Sequence, residues 1–131
     1  MSGHGTTAVG ETIRLNGIPI AIGTVRNRQV GGTVDAAYVQ RVGTNITLGT
    51  TIEQNGQNLS SAGTTAAVGT TVNLAGQASG IRSGRVTAVN VTTTNPAGVR
   101  LTGSRASYFS QTGDSGAPIY VLSNNLRRII S

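Results

Sequence analysis

The sequence has no cysteine, no tryptophan and no lysine, and it has only one histidine and four acidic residues among 131. Without cysteine, no disulfide can close the fold, and no thiol nucleophile or cysteine-ligated metal site can form. One histidine and four separated carboxylates offer few ligands for other metals, so no metal and no cofactor is predicted. No apolar run reaches the roughly 18 residues of a membrane helix. The first residues lack the basic and apolar regions of a signal peptide. No membrane partner is predicted, and the compartment stays open at this point.

All ten basic residues are arginines, and the formal net charge is +6. Positive charge favours contact with nucleic acid, because cationic side chains release counterions from phosphates. The arginines, however, are spread from Arg14 to Arg128, and aromatic residues that could stack on bases make up only 3% of the chain. The composition therefore indicates a scattered positive surface and argues against a nucleic-acid partner.

The length suits one domain or two very small lobes that share a site. Glycine, threonine, valine and isoleucine are frequent while the usual helix formers are scarce, which favours an all-β fold with almost no helix. Residues 12–15 and 18–25 flank Asn16-Gly17, a strong signal for a two-residue hairpin turn. The polar residues 26–33 are predicted as a connection, followed by a strand that starts at Val34 and carries Asp35 near its beginning.

The second half of the chain has further strand-length runs of β-branched and apolar residues. They are residues 70–74, 84–94, 98–102, 119–122 and 127–130. The last two are predicted to pair as a hairpin around Asn124-Asn125. A polar stretch, residues 58–67, is predicted as a linker between a lobe of residues 1–57 and a lobe of residues 68–131.

Residues 113–118 read Gly-Asp-Ser-Gly-Ala-Pro and suggest a nucleophile loop centred on Ser115. A serine hydroxyl needs a base to take its proton, and backbone N–H groups to hold the oxyanion that its attack creates. Gly113 can turn its amide toward a substrate, and Gly116 lets the chain leave a tight turn. The base must be His4, the only histidine. Asp35 would be costly to bury unpaired, and a histidine N–H is a natural partner for it.

Three segments together resemble the signature segments of chymotrypsin-like serine peptidases, especially the bacterial streptogrisin and α-lytic protease group. They are Gly3-His4, Asp35-Ala36-Ala37-Tyr38-Val39 and Gly113-Asp114-Ser115-Gly116, in that order. The separations also agree, with 31 residues from His4 to Asp35 and 80 from Asp35 to Ser115. Residues 72–88 resemble the corresponding hairpin of the same group.

The resemblance implies two antiparallel β-barrels, incomplete in this chain, and a serine endopeptidase that acts on peptide or protein substrates. Ser115 would be the nucleophile, His4 the general base and Asp35 the carboxylate that orients His4. The amides of Gly113 and Ser115 would form the oxyanion hole, while Asp114 and Gly116 would support the loop. The resemblance also implies a secreted or cell-surface protein.

Two departures from the group's pattern concern Asp114 and the chain ends. An arginine pairs with the equivalent of Asp114 in the bacterial group, but Leu74 stands at that position here, which leaves Arg82 and Arg85 as candidates. The group has strands before the histidine and after the serine, whereas only sixteen residues follow Ser115. The chain is therefore expected to be a piece of a longer peptidase or to receive complementing strands from another chain. Exposed strand edges also make a homo-oligomer a candidate assembly.

Two other classes of function stay open. One is a non-catalytic module that binds a peptide or protein along an exposed strand edge. The other is a self-assembling structural protein, suggested by the Gly-, Thr- and Asn-rich composition. The presence of all three triad residues argues against both.

Overall fold

The structure is a computed structural model that describes residues 1–15, 19–43, 46–62, 65–123 and 126–129. The helical content of these ranges is one 3-10 turn, Gly3–Gly5, and the regular structure is otherwise β. The predicted all-β class is confirmed. Among the residues described, no helix has the length and apolar character needed to cross a membrane.

The chain forms two compact units that are interleaved in sequence. Unit 1 comprises Met1–Leu48 and Thr92–Thr102, and unit 2 comprises Gly49–Val91 and Gly103–Ser131. These bounds do not coincide with the predicted lobes of residues 1–57 and 68–131, and that division, with its linker, stays a prediction.

Unit 1 contains a three-stranded antiparallel sheet in the order β1-β2-β3. Its strands are β1 (Thr12–Arg14), β2 (Ala21–Gly31) and β3 (Val34–Arg41). The edge of β3 that does not pair with β2 forms a hydrogen bond with the first residue of the chain. There, the Ala37 amide donates to the Met1 carbonyl at 2.9 Å. The hairpin turn predicted at Asn16-Gly17 lies outside the described residues.

The prediction that residues 26–33 form a connection is wrong for residues 26–31, because β2 continues to Gly31 and pairs with β3 from Asn27 to Gly31. The connection itself is only the two residues 32–33. The polar side chains that suggested a loop are used in the strand. Arg26 Nε donates to Gln40 Oε1 on β3 at 2.7 Å. A register shift between Val25 and Asn27 marks a bulge in the strand.

The second sheet has six strands in the order β4-β9-β8-β5-β6-β7. The strands are β4 (Ser61–Ala62), β5 (Thr71–Gly76), β6 (Gly80–Thr94), β7 (Arg100–Ala106), β8 (Ile119–Ser123) and β9 (Leu126–Ile129). Pairing of β8 with β9 confirms the predicted C-terminal hairpin, although its turn at Asn124-Asn125 lies outside the described part of the chain. The β4–β9 pair is parallel.

A buried apolar cluster of unit 2 is connected to the end of the predicted nucleophile loop. Ile52, Ala75 and Tyr120 form a buried cluster, with Leu59 packed against it. The amide of Ala75 donates to the carbonyl of Pro118 at 3.1 Å, so the end of the loop is tied to β5 where the cluster begins. A packed sheet therefore fixes the position at which the loop ends.

Candidate active site

His4 is the middle residue of the turn Gly3–Gly5, and this turn is held against β2. The carbonyl of Gly3 accepts three hydrogen bonds, from the Thr6 amide at 3.1 Å, the Thr6 hydroxyl at 2.8 Å and Arg28 Nη2 at 3.1 Å. Arg28 Nε also donates to the Thr6 hydroxyl at 3.1 Å. The backbone on either side of His4 is thereby anchored through one carbonyl oxygen.

Gly3 is required at its position because β2 and β3 approach it closely. A Cβ atom there would lie 2.5 Å from the carbonyl oxygen of Gln29, 2.8 Å from Val30 Cγ2 and 3.0 Å from the Ala36 nitrogen. Two of these three neighbours are backbone atoms, which cannot move without distorting the sheet. The absence of a side chain at Gly3 therefore allows the turn to lie against the strand that carries Asp35.

His4 and Asp35 are joined by two hydrogen bonds. The backbone amide of His4 donates to Asp35 Oδ1 at 2.8 Å, and His4 Nδ1 is hydrogen-bonded to Asp35 Oδ2. The side chains are 47% and 22% exposed, respectively. Because the carboxylate is an acceptor, the neutral imidazole in this arrangement has its proton on Nδ1, and its Nε2 has a lone pair that can accept one.

The pKa of the Asp35 carboxyl is below its usual value. Partial burial acts to raise this pKa, but the hydrogen bonds from the ring and the backbone N–H of His4 together outweigh burial. Asp35 is therefore a carboxylate at neutral pH, as an acceptor for a histidine N–H must be.

Ser115 lies on an exposed turn between two glycines in the left-handed region. Gly113 has φ +102° and Gly116 has φ +80°, which residues with a side chain rarely adopt. The Ala117 amide closes the turn by donating to the Asp114 carbonyl at 3.0 Å. Within the described part of the chain, the amides of Gly113 and Ser115 donate no hydrogen bond. Both donors are thus available to an external acceptor.

The side chain of Asp114 is buried beneath this turn and accepts four hydrogen bonds. Its Oδ1 accepts from the amides of Ala78 and Ser79, both at 2.9 Å. Its Oδ2 accepts from the Ser79 hydroxyl at 2.5 Å and the Gln111 amide at 2.9 Å. The hydroxyl of Ser79, followed by the Gln111 amide, lowers the pKa of Asp114 to about 2. The loop is therefore held by an ionised carboxylate bound to neutral donors.

The sequence left the partner of Asp114 unassigned, with Arg82 and Arg85 as candidates, and neither of these two arginines is the partner. None of the described arginine side chains forms an ion pair with Asp114, and the guanidinium of Arg82 instead lies 5.8 Å from the centre of the Phe109 ring. Four N–H and O–H donors satisfy a carboxylate as well as one cation does, which explains why no arginine is needed.

Gly76, the last residue of β5, makes room for the carboxylate. A Cβ at Gly76 would lie 2.3 Å from Asp114 Oδ1 and 2.7 Å from its Cγ. Gln111 adds a side-chain link, because its Nε2 donates to the Ala78 carbonyl at 2.8 Å. Hydrogen bonds of Asp114 and Gln111 thus connect the segment before Ser115 to the tight turn between β5 and β6.

Two open cavities in unit 2 share Ser115, Gly116 and Ala117. The first, of about 300 Å³, also has Thr51, Ile52, Glu53, Gln54, Ala75, Gln77, Gly113 and Pro118 in its lining. The second, of about 310 Å³, also has Leu74, Tyr108, Ser110, Gln111, Asp114 and Ile119. The exposed residue Ser115 therefore lies between two cavities and contributes to the wall of each.

No protein-family model matches the chain, and no curated protein sequence matches it. Solved structures do match. A chymotrypsin from Cellulomonas bogoriensis is 28% identical with a TM-score of 0.74, and the alignment covers 96% of this chain and 64% of that one. Protease A from Thermobifida fusca is 25% identical with a TM-score of 0.75, over 96% of this chain and 63% of that one. A Nocardiopsis protease is 27% identical with a TM-score of 0.73, over 96% and 64%.

The chain has a chymotrypsin-like fold. Its predicted resemblance to bacterial chymotrypsin-like serine proteases is confirmed, and it spans a little less than two thirds of the length of these structures. Within this chymotrypsin-like chain, the structure brings His4 and Asp35 together in unit 1. It places Gly113, Asp114, Ser115 and Gly116 in one loop of unit 2. The assignment of these residues to catalytic roles remains a prediction.

Sequence reasoning did not find the residues that hold the loop. Ser79 and Gln111 bind the Asp114 carboxylate, and Gly76 provides the space for it. A signal for this role was present in the short Gly-Gln-Ala-Ser-Gly turn of residues 76–80, where backbone amides are left without strand partners and a serine lies among them. Glu53, beside Ser115 in the first cavity, was also not singled out.

Proposed function

We propose that this chymotrypsin-like chain is a serine endopeptidase that hydrolyses peptide bonds through an acyl-enzyme, with His4, Asp35 and Ser115 as its triad. The main support for the proposal is that both the ring Nδ1 and the backbone amide of His4 are hydrogen-bonded to the Asp35 carboxylate. Such pairing orients an imidazole and leaves Nε2 as a base. The likeness to solved serine proteases supports the same reading.

In the first half of the reaction, Ser115 Oγ attacks the carbonyl carbon of the scissile bond while His4 Nε2 takes the hydroxyl proton. The carboxylate of Asp35 stabilises the imidazolium that forms, without taking a proton itself. The negative charge that develops on the substrate oxygen is held by the N–H groups of Gly113 and Ser115. Neither donor has another partner among the residues that the structure describes, so no existing hydrogen bond has to break before they act.

In the second half, the C–N bond breaks as His4 gives its proton to the leaving amine, and the acyl group stays on Ser115. A water molecule then attacks the acyl carbon while His4 Nε2 accepts one of its protons. Collapse of this second tetrahedral intermediate returns the proton to Ser115 and releases the acid. No metal or cofactor takes part in these steps.

Asp114 and Gly116 have structural roles in this proposal. The hydrogen bonds to the Asp114 carboxylate fix the peptide unit between the two oxyanion donors. Gly116 lets the chain turn away directly after the nucleophile. Geometry of this kind is needed because oxyanion donors act at distances of about 2.7–3.1 Å from the developing charge.

The proposal is tested with a fluorophosphonate probe, which reacts only with an activated serine and needs no knowledge of the substrate. We expect one adduct per chain, located on Ser115 by peptide mapping. The variant Ser115→Ala, which removes only the hydroxyl of an exposed residue, should fold normally and take up no probe. A Ser60→Ala variant controls for loss of a serine elsewhere in unit 2. Absence of an adduct on the folded parent chain, or equal labelling of the Ser115→Ala variant, would refute the proposal.

A further inference from the structure

Glu53 differs from the other three acidic residues, because its side chain has no partner within the described parts of the chain. Glu11 accepts hydrogen bonds from the amide and hydroxyl of Thr7, and Asp35 is paired with His4. Asp114 is held by its four donors. Among the described residues, Glu53 makes no hydrogen bond and no ion pair. It is therefore a carboxylate that the fold itself does not use.

Glu53 lies in the lining of the first cavity, the same cavity that Ser115 and Gly113 border. Of the described residues that line this space, it alone has a carboxyl or a basic group. The neighbouring Gln54 is fixed, because its Nε2 donates to the Gly76 carbonyl at 2.9 Å. The cavity thus combines a free negative charge with a largely neutral, anchored wall beside the proposed nucleophile.

The volume of the cavity suits one long side chain. At about 300 Å³ it lies at the lower end of the range of ligand sites. Its wall has an apolar part, including Ile52, Ala75 and Pro118, that can cover a hydrocarbon stem. A side chain with an apolar stem and a cationic end matches these two features, and arginine and lysine have that form.

We propose that Glu53 binds a basic side chain of the substrate in this cavity, so that the chain selects peptides with arginine or lysine beside the cleaved bond. The inference rests on the proposed function for its place next to the scissile bond. Arginine suits the site better than lysine, because its guanidinium can donate two parallel hydrogen bonds to one carboxylate.

The positive net charge of the chain excludes a non-specific explanation for a preference for basic peptides. At +6, the molecule as a whole repels a basic peptide at long range, so general electrostatic attraction cannot produce a preference for arginine. Any such preference must come from a local carboxylate. Because the pair is open to solvent, we expect a preference of about two- to fivefold in affinity. It should weaken further as salt is added.

The test measures binding rather than cleavage, so it does not depend on an active serine. In the Ser115→Ala background, two blocked alanine pentapeptides are titrated, one with a central arginine and one with the neutral isostere citrulline. Affinity is followed by amide chemical shifts of the protein. We expect shifts at residues 51–54 and 113–117 and tighter binding of the arginine peptide. Glu53→Gln should remove the difference, while Glu11→Gln, which changes the net charge equally from unit 1, should keep it.

Each outcome separates this inference from the proposed function. Equal affinity for the two peptides, a preference that survives Glu53→Gln, shifts confined to other residues, or no binding of either peptide would overturn the basic-residue site. If fluorophosphonate labels Ser115 but the arginine preference is absent, the endopeptidase proposal stands and this inference fails. If the preference is present and is lost in Glu53→Gln, the basic-residue site stands even when no adduct forms on Ser115.

Discussion

Adding a single methyl group at Gly76 should damage the nucleophile loop from a distance. The Cβ of Gly76→Ala would lie 2.3 Å from Asp114 Oδ1, 2.7 Å from Cγ and 3.2 Å from Oδ2. Two of these separations are under 3.0 Å, which real Cβ atoms essentially never show, so either β5 or the carboxylate must move. The carboxylate cannot move freely, because Ala78 and Ser79 donate to the oxygen that is nearest to the new methyl group.

The expected size of the effect follows from the overlap. Overpacking a well-filled site costs about 1–3 kcal/mol of unfolding free energy. With a urea m-value of about 2 kcal/mol/M, a loss of about 2 kcal/mol lowers the unfolding midpoint by about 1 M. Displacement of Asp114 also shifts the amides of Gly113 and Ser115 on either side of it. At low urea the variant is still almost fully folded, so its lower stability alone would hardly change the rate of fluorophosphonate labelling. We therefore expect labelling under these conditions to be clearly slower than in the parent, because the loop geometry has changed.

The control is Gly103→Ala in β7, where a Cβ would meet no atom within 4 Å. The unfolding free energy of this variant should lie within about 0.5 kcal/mol of the parent value, and fluorophosphonate should label it at the parent rate. A second comparison repeats Gly76→Ala in an Asp114→Ala background, where the overlapping carboxylate is gone and the substitution should cost clearly less. The reasoning is refuted if Gly76→Ala is as stable and as reactive as Gly103→Ala, or if its cost is the same in both backgrounds.

Two further predictions concern the ionised carboxylates. The folded-state pKa of Asp114 is lowered to about 2 from 3.8, so its contribution to stability is complete above about pH 4 and is lost as the pH falls toward 2. Urea midpoints measured from pH 5 to pH 2 should therefore fall less steeply for Asp114→Asn than for the parent, and an equal slope would contradict the assignment. Asp35→Asn should leave the urea midpoint near that of the parent but slow fluorophosphonate labelling by roughly 10³–10⁴, because an amide NH₂ at this position favours the wrong tautomer of His4. Labelling at the parent rate would show that Asp35 does not orient the histidine.

The sequence allowed the fold class and several strands to be predicted, because these depend on local patterns. The β-branched runs and scarce helix formers indicated an all-β chain, and the predicted C-terminal hairpin is present as the pair of Ile119–Ser123 with Leu126–Ile129. The strand that carries Asp35 was also expected, and it is β3. In each case, alternation or turn chemistry over a few residues contained the information.

Residues 26–33 show why other parts of the fold could not be predicted. Their polar composition is typical of a loop, but residues 26–31 form the second half of β2. A strand tolerates polar side chains when the opposite strand or a neighbouring turn supplies partners. Arg26 binds Gln40, and Arg28 binds the turn around His4. These partners lie 14 and 25 positions away in sequence, so inspection of a local window does not reveal them.

The partner of Asp114 could not be assigned from the family resemblance, because Leu74 stands where the bacterial group has an arginine. A buried carboxylate needs a cation or enough hydrogen-bond donors, and the sequence did not decide between them, because backbone amides leave no trace in the side-chain sequence. What the sequence does contain is the glycine that makes the approach possible. Gly76 faces Asp114, and Gly3 packs against Ala36, the residue next to Asp35. In both units, a glycine without space for a Cβ lies beside a carboxylate of the candidate site. These two glycines are therefore part of what positions the site, although neither has a side chain with which to take part in the chemistry.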